Sequence, residues 1–139
     1  MLKLLINKLN IQIEKLRGLD LTIAVESSDL CLDSSTVYRS SPSGNRYLKG
    51  VLDKLNISKD DKILDIGAGK GSAMVLMKQY LFSQVDGIEL STKITNIAKK
   101  NFKILKLKNI NIYNENAITF FKYNPFPSII MKKVLKQIF

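Results

Sequence analysis

The order of apolar and polar residues predicts alternating helices and strands. Helical spacing of apolar residues marks four stretches, at residues 1–16, 45–55, 72–81 and 92–107. A short apolar run typical of a buried parallel strand lies at residues 62–66, and two further strands are predicted at residues 84–89 and 110–113. Residues 19–43 are rich in serine and favour a loop, with a short extended stretch at 21–25. The alternation of strands with helices predicts an α/β fold with a parallel sheet and right-handed crossovers.

Composition narrows the chemistry that this chain can perform. Its 139 residues are 45% hydrophobic and 24% charged, which is typical of one globular domain. No run of about 18 apolar residues suggests a membrane span, and without an export signal we expect a cytoplasmic protein. The chain has no histidine and a single cysteine, Cys31. An internal disulfide, a histidine base and the usual zinc or iron sites are therefore excluded, and we expect no metal.

The positive charge is concentrated in the second half of the chain. The formal net charge is +10, and residues 90–139 contain ten lysines but only one acid, Glu115. Such a lysine-rich half favours binding to nucleic acid, which we keep as one hypothesis for a partner. The alternative is a compositional bias, because the whole chain is rich in Lys, Ile and Asn.

A glycine-rich turn follows the first predicted strand. Gly67, Gly69 and Gly71 occupy alternate positions, which allows backbone angles closed to other residues and a close approach of a ligand. Ser72 stands where a dinucleotide fingerprint needs a third Gly or Ala, and no Ser or Thr follows Lys70 as a P-loop requires. Glu89 ends the second strand, 20 residues after Gly69, at the spacing of a carboxylate that binds ribose hydroxyls. The pattern predicts a nucleoside-type ligand.

These residues resemble two motifs of one enzyme family. The segment 63–71, ILDIGAGKG, resembles motif I of the class I S-adenosylmethionine-dependent methyltransferases, and 85–89, VDGIE, resembles the motif that follows it. The resemblance implies a Rossmann-like parallel sheet with flanking helices and S-adenosylmethionine as the cofactor. It also implies a set of cofactor-binding residues: Tyr38 in a loop that closes over the cofactor, Asp65 near the methionine amino group, Gly67, Ala68 and Gly69 in the turn, Glu89 at the ribose, its neighbour Leu90, and Asn116 and Ala117 at the adenine.

A third segment resembles the substrate-binding signature of amino-group methyltransferases. Asn124, Pro125 and Phe126 fall where that signature has Asn-Pro-Pro-aromatic, and the resemblance implies that they hold the target nitrogen. The alternative is a turn made by two prolines. Only seven residues separate Asn116 from Asn124, too few for the helix and strand that the family places there. We therefore expect a truncated sheet of three to four strands instead of seven.

These observations predict two regions and several functions. Residues 1–44 form an N-terminal helix and loop extension, and residues 45–139 form an incomplete S-adenosylmethionine-binding methyltransferase domain, either a fragment or a shortened relative. The favoured function is methyl transfer to an unidentified nitrogen or oxygen nucleophile, although we expect this chain alone to transfer little. A non-catalytic nucleoside-binding remnant and a basic nucleic-acid-binding module are the alternatives. An uncovered sheet edge favours self-association, and we expect no membrane partner.

Overall fold

The structure is a computed structural model that describes residues 2–25 and 42–119, with side chains described from Lys8 onward in the first helix. Tyr38, Asn124, Pro125 and Phe126 lie outside the described residues. The helices are α1 (Leu2–Leu16), α2 (Arg46–Leu52), α3 (Ser72–Met77) and α4 (Thr92–Ile104), and the strands are β1 (Lys62–Ile66), β2 (Gln84–Glu89) and β3 (Ile110–Asn114).

The three described strands form one parallel sheet in the order β1-β2-β3. Ile66 of β1 pairs with Ile88 of β2, which in turn pairs with Tyr113 of β3. All three strands therefore end at the same edge of the sheet, directly before the glycine-rich turn, Leu90 and Glu115 respectively. The predicted α/β fold with a parallel sheet and flanking helices is confirmed.

The core lies between α3, α4 and one face of the sheet. Val85 of β2 and Ile112 of β3 are buried there against Met74 of α3 and Phe102 of α4. Gly87 allows this close packing, because a β-carbon at that position would lie 2.5 Å from the Met74 sulfur. The helices therefore hold the carboxyl end of β2, and with it Glu89, in a fixed place beside the turn.

Three helices end earlier than the apolar pattern predicts, and the hydrogen bonds at their ends give the reason. After α2 the Lys54 and Leu55 amides donate three residues back, and the Gln79 and Tyr80 amides do the same after α3, so each last turn is tighter than an α-helix. After α4, Lys106 adopts a positive φ of 51° and the Leu107 amide donates to Phe102, which closes the helix in a Schellman motif.

The first helix ends as the pattern predicts, but the described part of its apolar stripe, from Leu9 onward, remains exposed. Gly18, with φ 74°, closes α1 in a second Schellman motif, in which the Leu19 amide donates to the Glu14 carbonyl at 2.8 Å. Leu9, Ile13 and Leu16 remain 56%, 44% and 89% exposed. Among the helices of residues 2–25 and 42–119, none has the length and apolarity needed to cross a membrane.

Candidate functional site

The glycine-rich turn joins β1 to α3 through three left-handed glycines. Gly67, Gly69 and Gly71 have φ values of 75°, 55° and 85°. A β-carbon on Gly67 would meet nothing within 4 Å, so this residue faces open space beside the sheet edge. A β-carbon on Gly71 would instead lie 2.5 Å from the Phe102 ring, so this glycine serves helix packing. One end of the turn therefore faces open space, and the other end packs against the core.

The amides of the turn are bonded to β2. Gly67 and Ala68 both donate to the Ile88 carbonyl, at 2.9 and 3.0 Å, and Gly69 donates to the Glu89 carboxylate at 2.9 Å. A pyrophosphate cradle needs free N–H groups that point at the phosphate oxygens. Because these three amides already have partners, the first half of the turn suits a ligand that packs against the backbone rather than one that accepts hydrogen bonds from it.

Two backbone amides fix the Glu89 side chain at the end of β2. Its Oε2 accepts from Gly69 at 2.9 Å, and its Oε1 accepts from Ser91 at 2.8 Å. An ionised carboxylate has about four lone-pair sites, so each oxygen retains capacity for another donor. The geometry therefore leaves a preoriented, partly exposed carboxylate that can accept two hydroxyl groups next to Gly69.

Asp65 is a second, more deeply placed carboxyl group near the first. Its side chain lies on β1 opposite Gly87 of β2, and among the described residues its Oδ2 atom is buried without a hydrogen-bond partner. Burial, followed by the charge of Glu89, raises the pKa of Asp65 to about 6. A buried carboxyl oxygen without a hydrogen-bond partner is costly for the fold, and a cationic group of a ligand would supply such a partner.

Hydrogen bonds attach the loop after β3 to the end of β2. Asn114 Nδ2 donates to the Glu89 and Leu90 carbonyls at 3.0 and 2.9 Å, and the Glu115 amide donates to the Glu89 carbonyl at 3.1 Å. Asn116 is exposed, and its side-chain oxygen accepts from the Ile118 amide at 2.8 Å. The loop that carries Asn116 therefore starts beside Glu89, while the Asn116 side-chain oxygen caps a local turn.

The sequence did not predict a cluster of polar side chains beside the glycine-rich turn. Lys70 is only 7% exposed and forms an ion pair with Asp20, with 2.5 Å between Nζ and Oδ1. Asn101 of α4 is fully buried, donates to the Asp20 and Lys70 carbonyls and accepts from the Asp20 amide. Lys70 therefore serves the attachment of the N-terminal segment. Separations of 50 and 81 residues leave no local sequence signal for these contacts.

The structure brings most of the predicted cofactor residues to one edge of the sheet. Asp65, Gly67, Ala68, Gly69, Glu89 and Leu90 lie at the ends of β1 and β2, with Asn116 and Ala117 after β3. A cleft beside the turn is lined by Leu21, Ile23, Pro42, Ser43, Ala68, Gly69, Lys70 and Ser72. Within the part of the chain that the structure describes, no group of Cys, Asp or Glu side chains could hold a metal ion.

Comparison with known proteins shows the family of this chain. The model of the ribosomal RNA adenine dimethylases matches residues 44–135, about two thirds of the chain. The chain belongs to the ribosomal RNA adenine dimethylase family. The predicted class of S-adenosylmethionine-dependent methyltransferases is therefore confirmed, as is the cofactor of that class. The match begins just before α2, so the N-terminal helix lies outside it.

Individual relatives match between 36% and 66% of the chain. Release factor glutamine methyltransferase of Buchnera aphidicola subsp. Baizongia pistaciae (strain Bp) is 45% identical over 51 residues, which cover 36% of this chain and 18% of that protein. A protein-L-isoaspartate O-methyltransferase structure is 26% identical, with a TM-score of 0.47, over 66% of this chain and 28% of that chain. The geranyl diphosphate C-methyltransferase of Streptomyces coelicolor A3(2), solved with S-adenosyl-L-homocysteine, is 23% identical, with a TM-score of 0.44, over 50% and 27% of the two chains. The chain thus spans less than a third of the length of each of these proteins.

Proposed function

We propose that this chain binds S-adenosylmethionine at the carboxyl edge of its sheet and is the cofactor-binding part of an RNA methyltransferase. The observation that carries the proposal is the fixed Glu89 carboxylate beside Gly69. A ribose placed over the turn would donate its two hydroxyls to the free lone pairs of this carboxylate. The bonded amides of Gly67 and Ala68 favour this cofactor over a dinucleotide, whose pyrophosphate would need them free.

Asp65 fits the other end of the cofactor. The methionine part of S-adenosylmethionine carries an ammonium group, and the buried Oδ2 of Asp65 lacks a partner among the described residues. An ammonium group near this oxygen would favour the ionised carboxylate and lower its pKa from the raised value of about 6. We therefore assign Asp65 to the ammonium group and Glu89 to the ribose.

The reaction requires little chemistry from the protein itself. When bound, the cofactor would supply an electrophilic methyl group on a positively charged sulfonium, which the lone pair of a target nitrogen could accept. The chain's residues bind and orient the reactants and exclude water. Asn124, Pro125 and Phe126 are proposed to hold the target nitrogen, and Tyr38 to close over the cofactor. The adenine of the cofactor is proposed to lie against Asn116 and Ala117.

The charge of α4 favours RNA as the methyl acceptor. Four exposed lysines, the α4 lysine strip, lie on this helix with no acidic residue among them: Lys93, Lys99, Lys100 and Lys103. The 13-residue helix begins at the site edge and extends about 20 Å from it, far enough to follow several phosphates. With the family's substrate class, this strip supports an adenine amino group in RNA as the target. We also propose that the protein associates with itself through an uncovered edge of the sheet. We propose that it works in the cytoplasm.

Calorimetry with the full chain tests the cofactor site. We expect S-adenosylhomocysteine to bind and NAD to bind at least tenfold more weakly, which corresponds to about 1.4 kcal/mol. Glu89→Gln should weaken binding, whereas Glu115→Gln, which changes an exposed acid one strand away, should not. Equal binding of the two ligands, or equal affinities of the two variants, would contradict the proposal.

Binding of RNA is tested separately by its dependence on salt. The double change Lys99→Gln/Lys103→Gln should lower RNA affinity and flatten the slope of log affinity against log salt by about one to two. The control double change Lys54→Gln/Lys59→Gln removes two exposed lysines outside the strip. Transfer of labelled methyl groups to RNA would identify this chain as an enzyme by itself, whereas we expect the chain alone to transfer little.

A further inference from the structure

The N-terminal segment lies across the glycine-rich turn, although it precedes the part of the chain that matches the family. Leu21 and Ile23 line the same cleft as Ala68 and Gly69. Leu21 is half-buried and Ile23 is 41% exposed, so one side of this segment faces the cleft rather than the core. The segment thus lies beside the carboxyl edge of the sheet, where the cofactor is proposed to bind.

Residues 19–22 have a defined conformation because Glu14 of α1 binds them. The two carboxylate oxygens of Glu14 accept from the Thr22 hydroxyl, from the Thr22 amide at 3.1 Å and from the Leu21 amide at 3.3 Å. The carbonyl of Glu14 accepts from the buried Leu19. These bonds turn the chain sharply after α1 and direct Leu21 and Ile23 towards the turn.

A second set of bonds attaches this segment to the turn itself. Asn101 binds both backbone polar groups of Asp20, at 3.0 and 2.9 Å, and donates to the Lys70 carbonyl at 3.1 Å. Lys70 then pairs with the Asp20 side chain. One buried amide thus joins the segment and the turn, and the ion pair closes the link. Loss of Asp20 would leave a buried, unpaired ammonium group, which is strongly unfavourable.

From this geometry we infer that residues 19–23 form one wall of the cofactor site, and that Asp20, Lys70 and Asn101 are positioning residues that hold this wall against the turn. The inference rests on the proposed cofactor site. It assigns a role to the N-terminal segment and to the lysine of the turn, whose ammonium group pairs with Asp20. The wall's apolar side chains would shield the bound cofactor from water at Gly69.

Affinity for S-adenosylhomocysteine, measured on the full chain, tests the inference. Ile23→Ser should raise the dissociation constant about fivefold, because a polar side chain shields the ligand poorly. Its matched control, Leu16→Ser, changes an 89% exposed side chain and should leave the constant unchanged. Asp20→Ala should raise it about tenfold, and Asp20→Glu should recover part of the loss. Asp53→Ala, which breaks an exposed ion pair with Lys49, is the control for removing an ion pair.

Hydrogen exchange supplies a readout that a merely structural contact would not change. Addition of S-adenosylhomocysteine should slow exchange of the Leu21, Thr22 and Ile23 amides, and Asp20→Ala should abolish that slowing. Unchanged exchange on ligand addition, or normal affinity of both Ile23→Ser and Asp20→Ala, overturns the inference while the cofactor site stands. Failure of the unmodified chain to bind overturns the proposed function and the wall with it.

Discussion

Asp65→Asn should make the protein more stable at neutral pH while weakening its affinity for the cofactor. The pKa of Asp65 is raised from its ordinary 3.8 to about 6, mainly by burial. In this interval the folded chain binds more protons than the unfolded chain, so the stability falls as pH rises from about 4 to about 6. At 1.36 kcal/mol for each pH unit, the ionised Asp65 destabilises the fold by up to about 3 kcal/mol above pH 6.

Chemical denaturation of both proteins at several pH values measures this effect. The unmodified chain should lose stability between pH 4 and pH 6.5, whereas Asp65→Asn should show a flatter profile. At pH 7.5 the variant should be more stable by up to about 3 kcal/mol, and less if its new amide also lacks a partner. Its affinity for S-adenosylhomocysteine should fall, because the ligand's ammonium loses a charged partner. A variant with the stability and pH profile of the unmodified chain would refute the reasoning.

Three further predictions concern the turn and the end of β2. Glu89→Ala should weaken cofactor binding by about 1–3 kcal/mol in calorimetry, with an unchanged circular dichroism spectrum, and an unchanged affinity would mean that Glu89 only caps the turn. Gly69→Val should abolish binding, since its φ of 55° and its place at the cleft both disfavour a branched side chain; a folded variant with normal affinity would contradict this. Gly71→Ala should lower the midpoint of thermal unfolding, because its β-carbon would lie 2.5 Å from the Phe102 ring; an unchanged midpoint would show that the ring moves aside at no cost.

The local part of the fold could be predicted from the sequence. The strands β1 and β2 were predicted with the bounds that the structure has. The position of Glu89 beside Gly69 followed from strand order alone, since parallel strands end at the same edge. Helix ends were less predictable. The helix α3 ends at Met77 because hydrogen bonds to the residue three positions back replace its last turn, although the apolar pattern continues to Leu81.

Long-range polar contacts could not be predicted. Three ordinary polar residues make these contacts, from a loop, a turn and a helix: Asp20, Lys70 and Asn101. The local sequence pattern is equally compatible with each of these side chains being exposed to solvent. The burial of Lys70 and Asn101 depends on how α4 packs against the end of β1, which is settled only when the core has formed. Likewise, among the described residues, the lack of a hydrogen-bond partner for Asp65 Oδ2 follows from the neighbours of Asp65 across the sheet rather than from its place in the motif.

The turn is held from three directions, and this arrangement has a consequence for cofactor binding. Glu89 and Ile88 bind its amides from β2, Asn101 binds its Lys70 carbonyl from α4, and Asp20 binds its lysine side chain from the N-terminal segment. A ligand that meets a turn already fixed in this way loses less free energy to ordering the protein than one that must order the turn itself. Removing one support leaves the turn partly ordered by the others. The effects of Glu89→Ala and Asp20→Ala on affinity should therefore depend on each other, and a double variant whose loss equals the sum of the two single losses would show that the supports act separately.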